Sequence, residues 1–263
     1  MTTLKSKIQT TAICSFVVGS ALQAGAANLV SNGDFELYTG GSAFQSSSPG
    51  SFPSQMNDAG TGGYTKLTDW TTGPGNTGLL SFLLDPATAA TTGSRDIRFN
   101  DNFSLWSQSA SPAGGLYVGL DAASSFRGVG ISQTINGLVP GDTYEVEFYW
   151  AAAQQFGFDG DTTEQVQVTL GGAPAQLTSV FNLPSHGFSG WMHETFGFTA
   201  DSTSAVLNFL SLGGPDGLPP FVLLDGVSVN STNSVPDSGS TVGLLGLGIA
   251  AMGAVAIRSR RRE

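Results

Sequence analysis

Residues 143–152 read TYEVEFYWAA, and this stretch decides the fold class. Apolar and polar side chains alternate along most of it. Because successive side chains of a β-strand point to opposite faces, a period of two predicts a strand with one buried face. The buried face would carry Tyr144, Val146, Phe148 and Trp150, and the other face Glu145, Glu147 and Tyr149.

Similar runs of β-branched and aromatic residues lie on both sides of this stretch. They are residues 129–136, 164–170, 193–200, 204–212 and 221–230. Turn-forming residues separate them, and short strands without a sustained helical period are typical of a β-sandwich. We therefore expect one all-β domain of two packed sheets over residues 28–230. In the Gly-, Ser- and Thr-rich region 39–115 we expect long loops and one strand near residues 79–84.

The charge balance excludes one class of partner. Residues 28–234 contain 18 acidic and four basic side chains, a formal charge of −14. A field of this sign repels phosphate backbones, so we do not expect a nucleic-acid partner.

The amino-terminal segment has the parts of a secretory signal. Lys5 and Lys7 form a charged head, residues 12–22 are mostly apolar, and small residues follow. We therefore predict a signal peptide over residues 1–26. Its removal takes away Cys14, the single cysteine, so the exported chain would contain neither disulfides nor thiol ligands.

The carboxy-terminal segment predicts a membrane anchor. A polar linker and sorting motif at residues 231–241 precede an uncharged stretch at 242–257. As a helix, this stretch would span about 24 Å, less than the roughly 30 Å of a bilayer core. Clustered arginine stays on the cytoplasmic side, so the basic tail 258–263 would leave the domain outside. Its arginines are Arg258, Arg260, Arg261 and Arg262. The alternatives are an ordinary tail anchor and a buried core helix.

This carboxy-terminal segment resembles the VPDSG-CTERM variant of the PEP-CTERM sorting signals. The motif residues are Val235, Pro236, Asp237, Ser238 and Gly239, followed by the small-residue span and the arginines. The resemblance implies recognition by an exosortase-type membrane enzyme and removal of the tail. The bacterial membrane would then be a transient anchor, and the protein would reach the cell surface or extracellular matrix. Which peptide bond is cut stays open.

The two ends of the domain resemble galactose-binding-like jelly rolls. The relevant stretches are NLVSNGDFELY at residues 28–38 and LLDGVSVN at 223–230. In similar domains a glutamate and an aspartate at these positions help to hold a structural Ca²⁺, which implies Glu36 and Asp225 here.

Strand alternation leads independently to Asp225. It would share a face with Leu223, Val227 and Val229, and a buried carboxylate has to be paired, hydrogen-bonded or bound to a metal. The alternative is that Asp225 caps a turn at Gly226 and that Glu36 is solvated.

Other candidate binding residues are more ambiguous. Tyr64, Trp70 and Trp106 fall in predicted loops and are candidates for stacking on a sugar ring, with packing under the loops as the alternative. Trp150 and Trp191 are expected in the core. The acidic run at residues 159–164 lacks a full EF-hand pattern, which favours a solvated hairpin tip.

Catalytic motifs are incomplete. His193 begins a segment that lacks the second histidine of the zinc pattern His-Glu-x-x-His, and residues 187–191 do not complete Gly-x-Ser-x-Gly. We expect a non-catalytic protein that is either a structural or a glycan-interacting component, and in the second case its partner would be an extracellular polysaccharide. The alternative is a secreted carbohydrate-active enzyme of the glycoside hydrolase type, which would use a pair of carboxylates on the same fold.

Overall fold

The computed structural model describes residues 27–40, 55–58, 64–72, 80–87, 89, 104–123 and 129–233. These residues form strands and turns, without a helix among them, and residues 26–234 make one compact unit. Within the described ranges no helix is long and apolar enough to cross a membrane. The predicted signal peptide, sorting motif, membrane helix and basic tail lie outside the described residues.

Two antiparallel sheets contain most of the strands, which confirms the all-β jelly-roll sandwich. The five-stranded sheet contains β4 (Ser81–Leu84), β5 (Tyr117–Asp121), β7 (Thr143–Gln154), β11 (Met192–Thr199) and β13 (Pro220–Ser231). Across the sheet, these strands follow in the order β11-β7-β13-β5-β4. The six-stranded sheet contains β3 (Thr71–Thr72), β6 (Gly130–Asn136), β8 (Thr162–Leu170), β9 (Gln176–Leu177), β10 (Phe181–Leu183) and β12 (Ser204–Gly214). Five of them follow in the order β10-β8-β12-β6-β3, and β9 also pairs with β8. Two short strands, β1 (Tyr38–Gly40) and β2 (Thr65–Leu67), pair separately.

The main core lies between the two sheets. The predicted inner face of β7, with Tyr144, Val146, Phe148 and Trp150, is buried there. Phe148 meets Phe209 of β12 edge to face, with ring centroids 5.1 Å apart. Truncating such a buried phenylalanine to alanine costs about 3–5 kcal/mol, so this contact between the sheets contributes strongly to stability.

A second apolar cluster covers part of the outer face of the five-stranded sheet. Phe82, Tyr117, Phe221 and Leu223 project from its strands, and Leu105 packs on them from the segment ahead of β5. Phe82 and Phe221 lie with ring centroids 5.9 Å apart. The loops predicted between residues 39 and 115 therefore contain a packed covering layer, and the strand predicted near 79–84 is confirmed as β4.

A bulge in β13 corrects one prediction. The register with β7 shifts between Asp225 and Ser228, where Gly226 has a φ of 60°. Leu223 belongs to the outer cluster, but Val227 and Val229 belong to the main core. The prediction that all of these side chains share a face with Asp225 was wrong, because the extra residue of a bulge reverses the alternation.

Candidate functional site

The amino-terminal segment is hydrogen-bonded along the last strand. The amide of Val229 donates to Asn28 Oδ1 at 2.9 Å, and the amide of Leu29 donates to the Val229 carbonyl at 2.9 Å. Further along, the amide of Val227 donates to the Gly33 carbonyl at 2.8 Å. These contacts bring the two ends of the domain together beside the bulge.

Asp225 is fully buried next to this junction. Its Oδ1 accepts a hydrogen bond from the Gly226 amide at 2.7 Å, as the turn-capping alternative predicts. Its Oδ2 has no hydrogen-bond partner by distance and angle among the described residues, although the Ser111 hydroxyl is close enough to lower the pKa of Asp225. Burial raises the pKa of Asp225 to about 7; Ser111 and the Gly226 amide oppose the rise, and the charges of Glu36 and Asp34 add to it.

Glu36 lies at the exposed rim of the same site. Its Oε1 accepts a hydrogen bond from the Leu116 amide at 2.5 Å, and its carboxylate packs on Gly115, where a Cβ would collide with it. The charge of Glu36 acts on Asp225 and raises its pKa, but in the part of the chain that the structure describes no cluster of three or more metal-binding side chains forms. Glu36 is exposed, as the alternative to a metal site expected.

A cavity of about 400 Å³ opens where the amino-terminal segment crosses β13. Asn28, Asn32, Asp34 and Ser228 supply its polar lining. Gly226 also borders it, so the cavity reaches the bulge that carries Asp225.

Three ring side chains form a strip on the outer face of the five-stranded sheet, which we call the outer-face strip: Tyr149, Trp191 and His193. Tyr149 and His193 are directly opposite each other on β7 and β11, with ring centroids 4.9 Å apart. Trp191 is half-buried, donates from Nε1 to the Ser109 carbonyl at 3.0 Å and contacts Tyr117 edge to face. His193 is exposed and Tyr149 is half-buried, so the strip faces solvent.

Acidic and hydroxyl side chains continue this face away from the strip. Glu147 is paired with Thr195 across β7 and β11, and Glu145 lies two residues earlier on the same side of β7. The strip was not predicted from the sequence, although strand alternation could have found it. Met192, Phe196 and Phe198 of β11 face inward, so the same alternation places Trp191 and His193 outward.

The predicted stacking residues lie in different environments. Trp70 is 4% exposed; it packs on Phe35 and Phe209 and donates from Nε1 to the Asn32 carbonyl at 3.0 Å. For Trp70 the alternative of packing under the loops is therefore the one observed, because contacts with distant residues bury the ring. Tyr64 is half-buried just ahead of β2.

Trp106 belongs to a separate aromatic group near the β7–β8 connection. Its ring lies 4.2 Å from that of Phe156 and stacks on His186 at 3.8 Å, centroid to centroid. His186 Nε2 lies 2.6 Å from Asp159 Oδ1, and the His186 side chain is 42% exposed. His186 therefore covers much of the ring that was predicted to stack on a ligand.

The acidic run at residues 159–164 divides into two environments. Asp159 and Asp161 are exposed, as a hairpin tip requires, but Glu164 is fully buried on the inner face of β8. Glu164 Oε1 accepts from the Thr162 hydroxyl at 2.6 Å, and Oε2 has no partner among the described residues. Burial raises the pKa of Glu164 to about 8, although the hydrogen bond from Thr162 lowers it in part. The prediction of a solvated run was wrong for this residue.

Several solved structures are similar to this chain at low identity. TmCBM61, solved in complex with β-1,4-galactotriose, is 12% identical and covers 78% of this chain and 99% of its own, with a TM-score of 0.40. Arabinose-bound MgGH51 α-L-arabinofuranosidase is 15% identical and covers 81% of this chain but 27% of its own, with a TM-score of 0.40. The amino-terminal cellulose-binding domain of Cellulomonas fimi β-1,4-glucanase C is 24% identical and covers 46% of this chain and 80% of its own, with a TM-score of 0.30. At these values the similarities do not extend to function.

The sequence comparisons concern the carboxy-terminal segment. No curated protein matches the chain. A family model described as the VPDSG-CTERM motif matches residues 234–261, which contain the motif, the apolar span and the arginines identified from the sequence. The chain therefore carries a VPDSG-CTERM sorting signal and is an exported protein.

Proposed function

We propose that this protein is delivered to the cell surface or extracellular matrix by an exosortase-type sorting enzyme, and that its β-sandwich binds a neutral glycan without catalysis. The sorting part rests on the VPDSG-CTERM motif. The binding part rests on one observation, the solvent-facing outer-face strip on β7 and β11.

The strip has the chemistry that a sugar ring requires. The apolar face of a pyranose stacks on an aromatic ring, while nearby polar groups bind its hydroxyls. Tyr149 and Trp191 supply aromatic surface, and His193 supplies a planar ring with hydrogen-bonding nitrogens. Thr195 and Glu147, the next pair along the same face, supply further donors and acceptors.

The surroundings of the strip favour a neutral ligand over an anionic one. Glu145 and Glu147 flank it, and residues 28–234 carry a formal charge of −14, so an acidic polysaccharide would be repelled. β7 and β11 pair continuously from Met192 to Thr199, so the strip lies on rigid backbone and little entropy is lost on binding.

We also propose that Glu36 and Asp225 hold a structural Ca²⁺. The fit rests on the buried Asp225 Oδ2, which lacks a partner and lies where the Glu36 charge already raises the pKa of Asp225. Calcium takes six to eight oxygens, including backbone carbonyls and water, so the two carboxylates would supply the charged ligands and backbone carbonyls or water the others. A cation would balance the repulsion between the carboxylates and stabilise the bulge at Gly226, against which Tyr149 packs.

Binding should be measured on the protein recovered from the producing cells after export. Isothermal titration with neutral oligosaccharides, including β-1,4-linked galactose and glucose chains, should show binding that weakens about 10-fold in Tyr149→Ala and His193→Ala, because each removes a stacking ring worth about 1.4 kcal/mol. Leu177→Ala, an exposed truncation on the other sheet, is the matched control and should bind like the wild type.

The outcomes separate the candidate functions. Release of shorter sugars during the titration would replace the binding proposal with the glycoside hydrolase alternative. Equal affinity in the wild type and both strip variants would show that the glycan binds elsewhere. A folded protein that binds none of the neutral glycans would refute binding and leave the sorting part unaffected.

A further inference from the structure

The outer face of the six-stranded sheet differs from the rest of the domain in its charge. Among the described side chains that point outward from this sheet, none is charged and none is aromatic. β8 contributes only threonine and glutamine to this face, β6 only serine, threonine and asparagine, and β3 a threonine. We call this surface the neutral face.

Apolar side chains run along the middle of the neutral face. β12 is the central strand of the sheet, and Val206, Leu210 and Leu212 point outward from it, with Asn208 between Val206 and Leu210. Val206 is 50% exposed, and Leu177 of β9 is 46% exposed near the edge. Gln167 pairs with Leu210 and borders the row. A central apolar row inside an uncharged hydrogen-bonding border is the arrangement of a protein interface.

The charge distribution indicates which partner fits this face. The domain is strongly anionic, and described acidic residues such as Asp58, Asp161 and Asp201 lie at the margins of the six-stranded sheet but not on its outer face. Two copies of this chain repel each other through most of their surfaces, and the repulsion is weakest where the facing side chains are uncharged. A charged partner would instead be expected to meet complementary charges.

A sugar is a poor fit for the neutral face. Carbohydrate sites use aromatic platforms, and the outward-facing described residues here supply aliphatic and amide groups instead. Strand spacing and length give the face an area on the order of 600 Å². Stable protein interfaces bury about 800 Å² per partner, so the neutral face is large enough for a weak self-association.

We propose that the neutral face binds the neutral face of a second copy of this chain, as a two-fold symmetric contact centred on β12. Each protomer would place Val206 and Leu210 at the centre of the contact and Gln167 beside them. The outer-face strip lies on the opposite sheet and remains open in such a dimer. Self-association therefore goes beyond glycan binding and does not depend on it.

Sedimentation equilibrium of the exported protein tests this proposal. The wild type should dimerise with a Kd of about 1–100 μM, typical of a small interface. High salt should tighten the dimer, because it screens the repulsion between anionic copies, whereas a contact between opposite charges would weaken.

The variant Gln167→Glu keeps the side-chain shape and adds a charge, and Val206→Glu adds one at a half-exposed position. Each of these variants should raise the Kd of the dimer at low salt by about 10-fold or more.

A matched charge placed elsewhere controls for net charge. Thr199→Glu adds one carboxylate to the exposed end of β11 on the other sheet and should leave the Kd within about 2-fold of the wild type. The proposal is overturned if the wild type stays monomeric at every concentration and salt, or if Gln167→Glu, with an unchanged unfolding midpoint, dimerises as tightly as the wild type. A monomeric wild type whose glycan affinity falls in Val206→Glu would assign the face to the glycan instead.

Discussion

Three carboxyl groups are buried in the described part of the domain, and burial raises the pKa of each. Asp121 is 2% exposed, and burial raises its pKa to about 7, opposed by the Ala123 amide and increased by the charge of Asp216. Glu164 and Asp225 are fully buried, with pKa values raised to about 8 and about 7. In the folded protein these groups therefore bind protons more tightly than in the unfolded chain.

This linkage predicts the direction of the pH dependence. In the unfolded chain the carboxyls lose their protons near pH 4, whereas in the folded chain they keep them to about pH 7–8. The folded state binds more protons in between, so without added metal the free energy of unfolding should fall as pH rises from about 4 to about 8. Urea titrations at pH 5 and pH 8 measure the difference. Glu164→Gln should reduce it by about 2 kcal/mol or more, since each unit of pKa shift corresponds to about 1.4 kcal/mol. Equal stability at both pH values would contradict the burial of these groups.

At the scale of the element, the junction between the amino-terminal segment and β13 is where bound Ca²⁺ would stabilise the fold. If Ca²⁺ bridges Glu36 and Asp225, saturating calcium should raise the thermal unfolding midpoint by about 5–10 °C over EDTA. Asp225→Asn should abolish this increase, because the amide cannot supply the charge. Asp201→Asn, at an exposed carboxylate, should retain it. An unchanged thermal unfolding midpoint of the wild type after EDTA would show that no stabilising metal binds at this site.

Local alternation made the long strands predictable. Residues 143–152 have one face in the main core, and the other alternating runs form β6, β8, β11, β12 and β13. Strand alternation alone missed the bulge at Gly226, because one extra residue leaves a sequence that still reads as a continuous strand, whereas the alternative of a turn at Gly226 placed an irregularity there. The burial of Glu164 was available from the sequence, since it is in phase with Val166 and Val168 on β8.

The binding surfaces were less predictable, because they depend on contacts between distant segments. Trp70 is buried by Phe35 and Phe209, which are far from it in sequence. His193 joins Tyr149 only when β11 pairs with β7. Loop position alone was therefore a poor guide to which rings face solvent.

At the scale of the whole molecule, the sorting signal predicts a processed carboxyl end. Mass spectrometry of the protein released at the cell surface should find the chain ending near Asp237, without the arginines of residues 258–263. Asp237→Ala should leave the precursor uncut, whereas Ser240→Ala, just beyond the motif, should be processed normally. Finding intact arginine tails outside the cell would contradict removal by a sorting enzyme.

The described chain ends on a strand that is held on both sides. β13 is hydrogen-bonded to β7 from Pro220 to Ser231 and to β5 from Phe221 to Leu224, and the amino-terminal segment adds bonds at Val229. A tensile force applied at the carboxyl end acts along β13 and loads these bonds in shear. They must yield together instead of opening one at a time, so the sandwich should resist unfolding by a pull at the carboxyl end of β13.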